Sequence, residues 1–114
     1  MQTYYTTSTG PGWSFDFTDS SGNVPPGFAS ATFQVIFRSL TTLQYVVGEG
    51  IWEIPDASTG IVDYLLGAND FANAYKAASP AMLPGEAIFE ILGKCIANGL
   101  EYDGSSVQIK IKKI

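Results

Sequence analysis

Two short runs of alternating apolar and polar residues constrain the fold more than any other feature of the sequence. Residues 13–18 alternate aromatic with polar side chains, and residues 31–38 repeat the alternation with phenylalanine and valine. Alternation with a period of two is typical of strands that bury one face. The turn-forming residues 19–23 and 25–27 lie between the two runs. The pattern predicts a small β domain.

The rest of the chain predicts further strands and one helical segment. The predicted strands are 40–47, 51–54, 61–66, 86–92, 94–97, 100–102 and 107–114, with a turn at 55–60. Asn98-Gly99 predicts a two-residue hairpin turn between the strands on either side of it. Residues 70–78 predict a turn or two of helix, capped by Asn69 or Asp70 and stopped by Pro80.

About seven or eight short strands with frequent turns between them predict an all-β sandwich. A chain of 114 residues forms one domain. We expect residues 13–114 to form the sandwich and residues 1–12 to be an N-terminal edge strand or a docking arm. The predicted core comprises Phe33, Val35, Phe37, Ile51, Val62, Tyr64, Phe89, Ile91, Val107, Ile109 and Ile111.

The residue types present exclude the common catalytic and metal-binding arrangements. The chain has no histidine and one cysteine, Cys95. Histidine-dependent triads and zinc clusters are therefore impossible. Carboxylate pairs such as Glu86 with Glu90 or Asp63 with Asp70 have the placement of solvated strand faces. We expect no enzymatic activity, cofactor or metal, and we expect Cys95 to be a small buried apolar residue.

Charge and hydropathy exclude two further classes of partner. The net charge is −5, and the only dense group of basic residues is Lys110, Lys112 and Lys113. Nucleic-acid binding needs a larger basic surface than this. The sequence shows no secretory signal and no apolar stretch of the ~18 residues that a membrane span requires. We expect a protein made in the cytoplasm, or one from which a signal has been removed.

Four aromatic residues are candidates for an interface: Tyr4, Tyr5, Trp13 and Tyr45. They could contact another protein or stack against a sugar. Trp13 could equally fill the core, as strand aromatics usually do, and core packing is favoured for Trp52. Tyr4 and Tyr5 lie outside the clear core strands, so they are the better interface candidates.

Three stretches carry a resemblance to a known family: FDFTDSSGNVPPGFASATFQVIFR, IWEIPDASTGIVDYLLGANDFANA and VQIKIKKI. Their order resembles the small immunoglobulin-like domains of tailed-phage tail and baseplate proteins, above all the N-terminal domain of the baseplate upper protein family. The matching positions are Asp19 with Gly22, Asp56 with Gly60, Tyr64, and Asp70 with Phe71. The chain departs from the family pattern at 74–84, where the family turns through a glycine and a tyrosine into its next strand.

The resemblance implies an immunoglobulin-like β-sandwich with an architectural role and no catalytic residues. We therefore expect a non-enzymatic structural module of the virion, which holds neighbouring tail or baseplate subunits together. Its partners would be other virion proteins, and open strand edges could also join copies of the chain into a trimer or hexamer. The alternative is a carbohydrate-binding or host-receptor-binding module that uses exposed Tyr4, Tyr5, Trp13 or Tyr45.

Overall fold

Two β-sheets pack face to face in the computed structural model of the chain. The structure describes residues 1–114, apart from the side chains of Pro11 and Ser105. The strands are β1 (Gln2–Tyr5), β2 (Pro11–Asp16), β3 (Thr32–Ser39), β4 (Tyr45–Val47), β5 (Ile51–Asp56), β6 (Ile61–Leu65), β7 (Gly85–Ala97) and β8 (Leu100–Lys113). A short 3₁₀ helix, Phe28–Ser30, precedes β3, and the helix α1 spans Asp70–Ala78.

The order of the strands is that of an immunoglobulin domain. The larger sheet has the order β1-β8-β7-β3-β4 and the smaller has the order β2-β6-β5. Immunoglobulin domains place their second, fifth and fourth strands on one sheet and their third, sixth and seventh on the other. Here β2, β6 and β5 take the places of the second, fifth and fourth strands, and β3, β7 and β8 those of the third, sixth and seventh. β4 is then an additional strand beside the third. The β-sandwich with one short helix that the sequence predicts is confirmed.

The predicted core is largely correct. Eight of its members are buried in the described structure: Val35, Phe37, Val62, Tyr64, Phe89, Ile91, Ile109 and Ile111. Phe33 is half-buried against them. Aromatic residues that the prediction omitted complete the core: Phe15, Phe17, Phe28, Phe71 and Tyr75. Cys95 is buried, as predicted.

The predictions for Ile51 and Val107 are wrong. Ile51 is 65% exposed because β5 turns its neighbour Trp52 inward against the core instead. Val107 is 39% exposed, and it lies beyond residues 109–112, where β1 pairs with β8. Both residues follow the alternation of a strand, but no second layer covers their positions.

The strand predicted at 40–47 is also mostly wrong, because its first half is a turn. Ser39 organises this turn: its Oγ accepts the N–H groups of Thr41 at 3.3 Å and Thr42 at 3.2 Å. Its carbonyl oxygen accepts the N–H of Leu43 at 2.9 Å. Only Tyr45–Val47 forms a strand.

The last two strands form one long hairpin, where the sequence predicts four shorter strands. β7 and β8 pair from Gly85 with Lys113 to Ala97 with Leu100, and a bulge near Gly93 shifts their register. Asn98 and Gly99 have positive φ angles of 51° and 76°, as a tight hairpin turn requires. The predicted turn is therefore confirmed, and the bulge accommodates the apparent breaks in the alternation.

Helix α1 crosses from β6 in the smaller sheet to β7 in the larger one. It buries Phe71, Ala74 and Tyr75 against the sandwich. Asn69 occupies the N-cap position, but its side chain makes no capping hydrogen bond. After the helix the Tyr75 hydroxyl donates a hydrogen bond to the carbonyl oxygen of Leu83 at 2.7 Å. This bond holds the 79–84 connection against the helix.

Candidate interaction surface

The strand β4 is an edge of the larger sheet, and two of its three residues direct their backbone hydrogen-bonding groups outward. On its inner side the Ser39 N–H donates to the Gln44 carbonyl and the Gly48 N–H donates to the Val35 carbonyl, both at 2.9 Å. Paired residues of an antiparallel ladder alternate between bonded and non-bonded positions. The N–H and C=O groups of Tyr45 and Val47 therefore face the open edge.

Exposed apolar side chains gather at this edge. The exposed fraction is 65% for Leu43, 61% for Tyr45 and 45% for Val47. Leu43 has a φ angle of 62°, an unfavourable backbone conformation for a residue with a bulky side chain. An open strand edge with apolar side chains favours pairing with another chain. This combination makes the β4 edge the best candidate for a functional surface.

A groove of about 630 Å³ runs between β4 and α1. Its strand side is formed by Gln44, Tyr45, Val46, Val47 and Glu49, and its helix side by Asn73, Lys76, Ala77 and Pro80. The helix runs antiparallel to the strand because hydrogen bonds fix both of its ends. The Glu49 N–H donates to Asp70 Oδ1 at 2.9 Å, and Thr42 Oγ1 donates to the Ala77 carbonyl at 3.1 Å.

A buried polar network fixes the start of α1 against the β4–β5 connection. The Asp70 carboxylate is 2% exposed and accepts hydrogen bonds from the Tyr64 hydroxyl and the N–H groups of Glu49 and Gly67. The Tyr64 hydroxyl in turn accepts the Gly50 N–H at 2.7 Å. Burial, and then the hydrogen bond to Asp70, raise the pKa of Tyr64 well above its ordinary value. The network thus fixes one end of the groove.

Glycine is required in the same connection. A Cβ atom at Gly50 would collide with the carbonyl oxygen of Leu65, and one at Gly48 would collide with the Tyr64 hydroxyl. The two glycines let the backbone pass close to the Tyr64 ring, so that its hydroxyl can reach both Asp70 and the Gly50 N–H. The Gly48-Glu49-Gly50 sequence therefore serves packing.

The four aromatic interface candidates do not form one surface. Tyr4 stacks on Phe71 with a centroid distance of 4.7 Å, and Trp13 packs edge-on against Tyr4 at 5.9 Å. Both rings are half-buried inside the molecule. Tyr5 and Tyr45 are exposed, but they lie on β1 and β4, the opposite edges of the larger sheet. Among the four, Tyr45 alone lines the groove.

The sequence interpretation missed the rest of the groove. Lys76 and Asn73 lie on the predicted helix and Val47 on a predicted strand, so each element was found. What the sequence does not reveal is that β4 ends its sheet and that α1 lies beside it. The sequence offered only a weak indication of the groove. The predicted strand 40–47 lies just before two glycines and contains residues that are often exposed, such as Tyr45.

No family model, curated protein or solved structure matches the chain. The geometry of the edge and the groove is therefore what bears on its function.

Glu86, Glu90 and the thiol lie in ordinary surroundings, whereas Asp70, which the sequence places on a solvated face, is buried because it accepts three hydrogen bonds inside the fold. Glu90 pairs with Arg38 at 2.7 Å and Glu86 with Lys110 at 3.5 Å. Burial raises the pKa of the Cys95 thiol, which keeps it protonated. Within the described residues no group of three or more acidic or cysteine side chains could hold a metal ion. The described part of the chain also contains no helix with the length and apolar character to cross a membrane.

Proposed function

We propose that this chain is a non-enzymatic structural module that binds neighbouring protein subunits through the β4 edge. The observation that carries the proposal is the combination of outward-facing backbone groups and exposed side chains at Tyr45 and Val47. Uncovered edges of this kind promote unwanted association, and proteins usually blunt them with very short strands, charges or proline. β4 is short, but it has no charge or proline and exposes Tyr45 and Val47, which favours an edge that is covered in an assembly.

The particle that we propose is the tail or baseplate of a tailed phage. The support is the resemblance of residues 15–38, 51–74 and 107–114 to the immunoglobulin-like domains of such proteins. The partners would then be other virion proteins, and the location would be the virion. Tail assemblies are rotationally symmetric, so copies of the chain would occur as trimers or hexamers.

Particle composition tests this role. We expect quantitative mass spectrometry of purified phage particles to find the chain in a fixed ratio to the other structural proteins. The double variant Y45S/V47S removes the exposed apolar groups and should lower incorporation at least tenfold. Y5S, on the opposite edge of the sheet, is the matched control and should be incorporated normally. Absence of the chain from particles, or equal loss of both variants, would contradict the proposal.

One observation favours a second candidate, a carbohydrate-binding or host-receptor-binding module. Exposed Tyr45 stands in a groove with Gln44, Glu49 and Asn73, and sugar sites combine an aromatic face with such polar groups. Titration with host-surface polysaccharide separates the two functions. Under the second function the chain binds polysaccharide and N73A weakens that binding; under the first no polysaccharide binds.

A further inference from the structure

The geometry of β4 suits one added strand. Tyr45 and Val47 present two N–H and two C=O groups at the spacing of a strand's free edge. A strand that pairs antiparallel there would extend the larger sheet and satisfy all four groups. Proteins that bind peptides by strand addition use main-chain hydrogen bonds for affinity and adjacent pockets for specificity. The groove beside β4 supplies such a pocket.

Helix α1 restricts what can approach the edge. It lies alongside β4 and contributes Asn73, Lys76, Ala77 and Pro80 to the groove. A second whole sandwich would have to fit its edge beside this helix. A single extended segment needs only the space between the strand and the helix, so it fits the groove better than a second copy does.

The charges at the two ends of the groove are opposite. Lys76 precedes Ala77, whose carbonyl oxygen is bonded to Thr42 before β4 begins, and Glu49 follows the end of β4. Neither Lys76 nor Glu49 makes an ion pair with another described residue. A ligand complementary to the groove carries a carboxylate near the start of β4 and a cation near its end.

We infer that the groove between β4 and α1 binds an extended peptide segment of a partner protein as an antiparallel strand, with its acidic C-terminal end beside Lys76 and its basic N-terminal end beside Glu49. The polarity follows because an antiparallel strand ends where β4 begins. The inference rests on the proposed function as a protein-binding module and names the kind of segment that this module takes.

Amide NMR of the full chain tests the inference with defined peptides. The probe is KTVTVD, acetylated and amidated, and its charge-swapped counterpart is DTVTVK. We expect KTVTVD to shift the amide signals of Tyr45, Val47 and residues 73–77, and to bind about fivefold more tightly than DTVTVK, as two exposed ion pairs allow. No shift at these residues, or equal binding of both peptides, would overturn the inference.

Matched variants separate main-chain pairing from side-chain contact. V47P removes the outward N–H and is compatible with an edge strand, so it should abolish binding; V47T keeps the N–H and should retain it. K76E leaves a carboxylate at both ends of the groove, so it should abolish the preference between the two peptides, whereas K112E, an equal charge change on β8, should keep the preference. Unchanged binding to V47P, or loss of the preference in K112E, would contradict strand addition in this groove.

Modified peptides provide a control that needs no protein variant, so it remains valid if a variant fails to fold. One version of KTVTVD is N-methylated at both valines and another at both threonines, which blocks one or the other edge of the peptide. One of the two should lose binding, and full binding by both would overturn main-chain pairing.

If the peptides fail while particles contain the chain, assembly uses another surface and the structural role stands. If the peptides bind and particles lack the chain, the virion role is wrong and the groove assignment stands.

Discussion

A single buried carboxylate, Asp70, joins the start of α1 to β6 and to the β4–β5 connection. It accepts hydrogen bonds from the Tyr64 hydroxyl and from the N–H groups of Glu49 and Gly67. Each buried donor left without an acceptor costs about 1–3 kcal/mol. We expect D70A to lower the free energy of unfolding by about 3 kcal/mol or more, measured by urea denaturation. The control D63A removes a half-buried carboxylate bonded to the Ser14 hydroxyl and should cost under about 1 kcal/mol. Equal losses would mean that Asp70 is solvated.

Tyr64 should make the free energy of unfolding fall at alkaline pH. Its folded pKa lies above the ordinary value of 10.0, while the unfolded chain ionises near that value. The contribution of the buried, neutral Tyr64 hydroxyl to the free energy of unfolding is therefore fully present below about pH 10. It is lost as the pH rises above that value, by about 1.4 kcal/mol for each pH unit. Y64F lacks the ionisable group and should show a shallower decline. Parallel declines of Y64F and the wild type in urea melts would contradict this assignment.

The sequence allowed only part of this residue-level chemistry to be predicted. Asp70 was a candidate helix cap because acidic residues favour helix starts. Its actual partners, Tyr64 and the backbone at Glu49, come together only when β4, β6 and α1 pack. No local pattern specifies such a contact, so the network and the end of the groove that it fixes could not be derived from sequence spacing.

At the scale of elements, the alternation along β7 decides which side chains form the core. Phe89 is fully buried, while its neighbour Ile88 faces the outside of the larger sheet and is half-buried. Truncating a buried phenylalanine typically costs about 3–5 kcal/mol. We expect this loss in F89A, and about 1 kcal/mol in I88A, from denaturant melts of both variants. A larger loss in I88A than in F89A would place β7 in the opposite register.

Element predictions succeeded where a local pattern decides the structure and failed where the neighbouring layer decides it. The hairpin turn at Asn98-Gly99 follows from two residues that tolerate positive φ angles. The strand predicted at 40–47 was mostly a turn because the Ser39 side chain bonds the following backbone. Ile51 has the alternation of a core residue but lies on the uncovered face of β5. Whether a second layer covers a strand face is a property of the assembled fold.

At the scale of the whole molecule, the two sheets differ in charge. The described strands of the smaller sheet carry four carboxylates, Asp16, Glu53, Asp56 and Asp63, and no lysine or arginine. The ion pairs of the described structure lie on the larger sheet. The smaller sheet would therefore repel an acidic partner. Binding of a partner at the β4 edge of the larger sheet avoids this repulsion, in agreement with the proposed surface.

The acidic smaller sheet contains one pair of like charges on adjacent strands, and one substitution should remove the repulsion between them. Glu53 and Asp63 lie directly opposite each other on β5 and β6, and like charges in that position destabilise a sheet. We expect E53K to raise the free energy of unfolding by about 0.5–1 kcal/mol, because it replaces the repulsion with an attraction. The gain should shrink at high salt, which screens exposed charges. E90K makes the same change in net charge but breaks the ion pair with Arg38, so it should lower stability. Urea melts of both variants at low and high salt measure the difference, and a similar gain in both would show that net charge alone governs the effect.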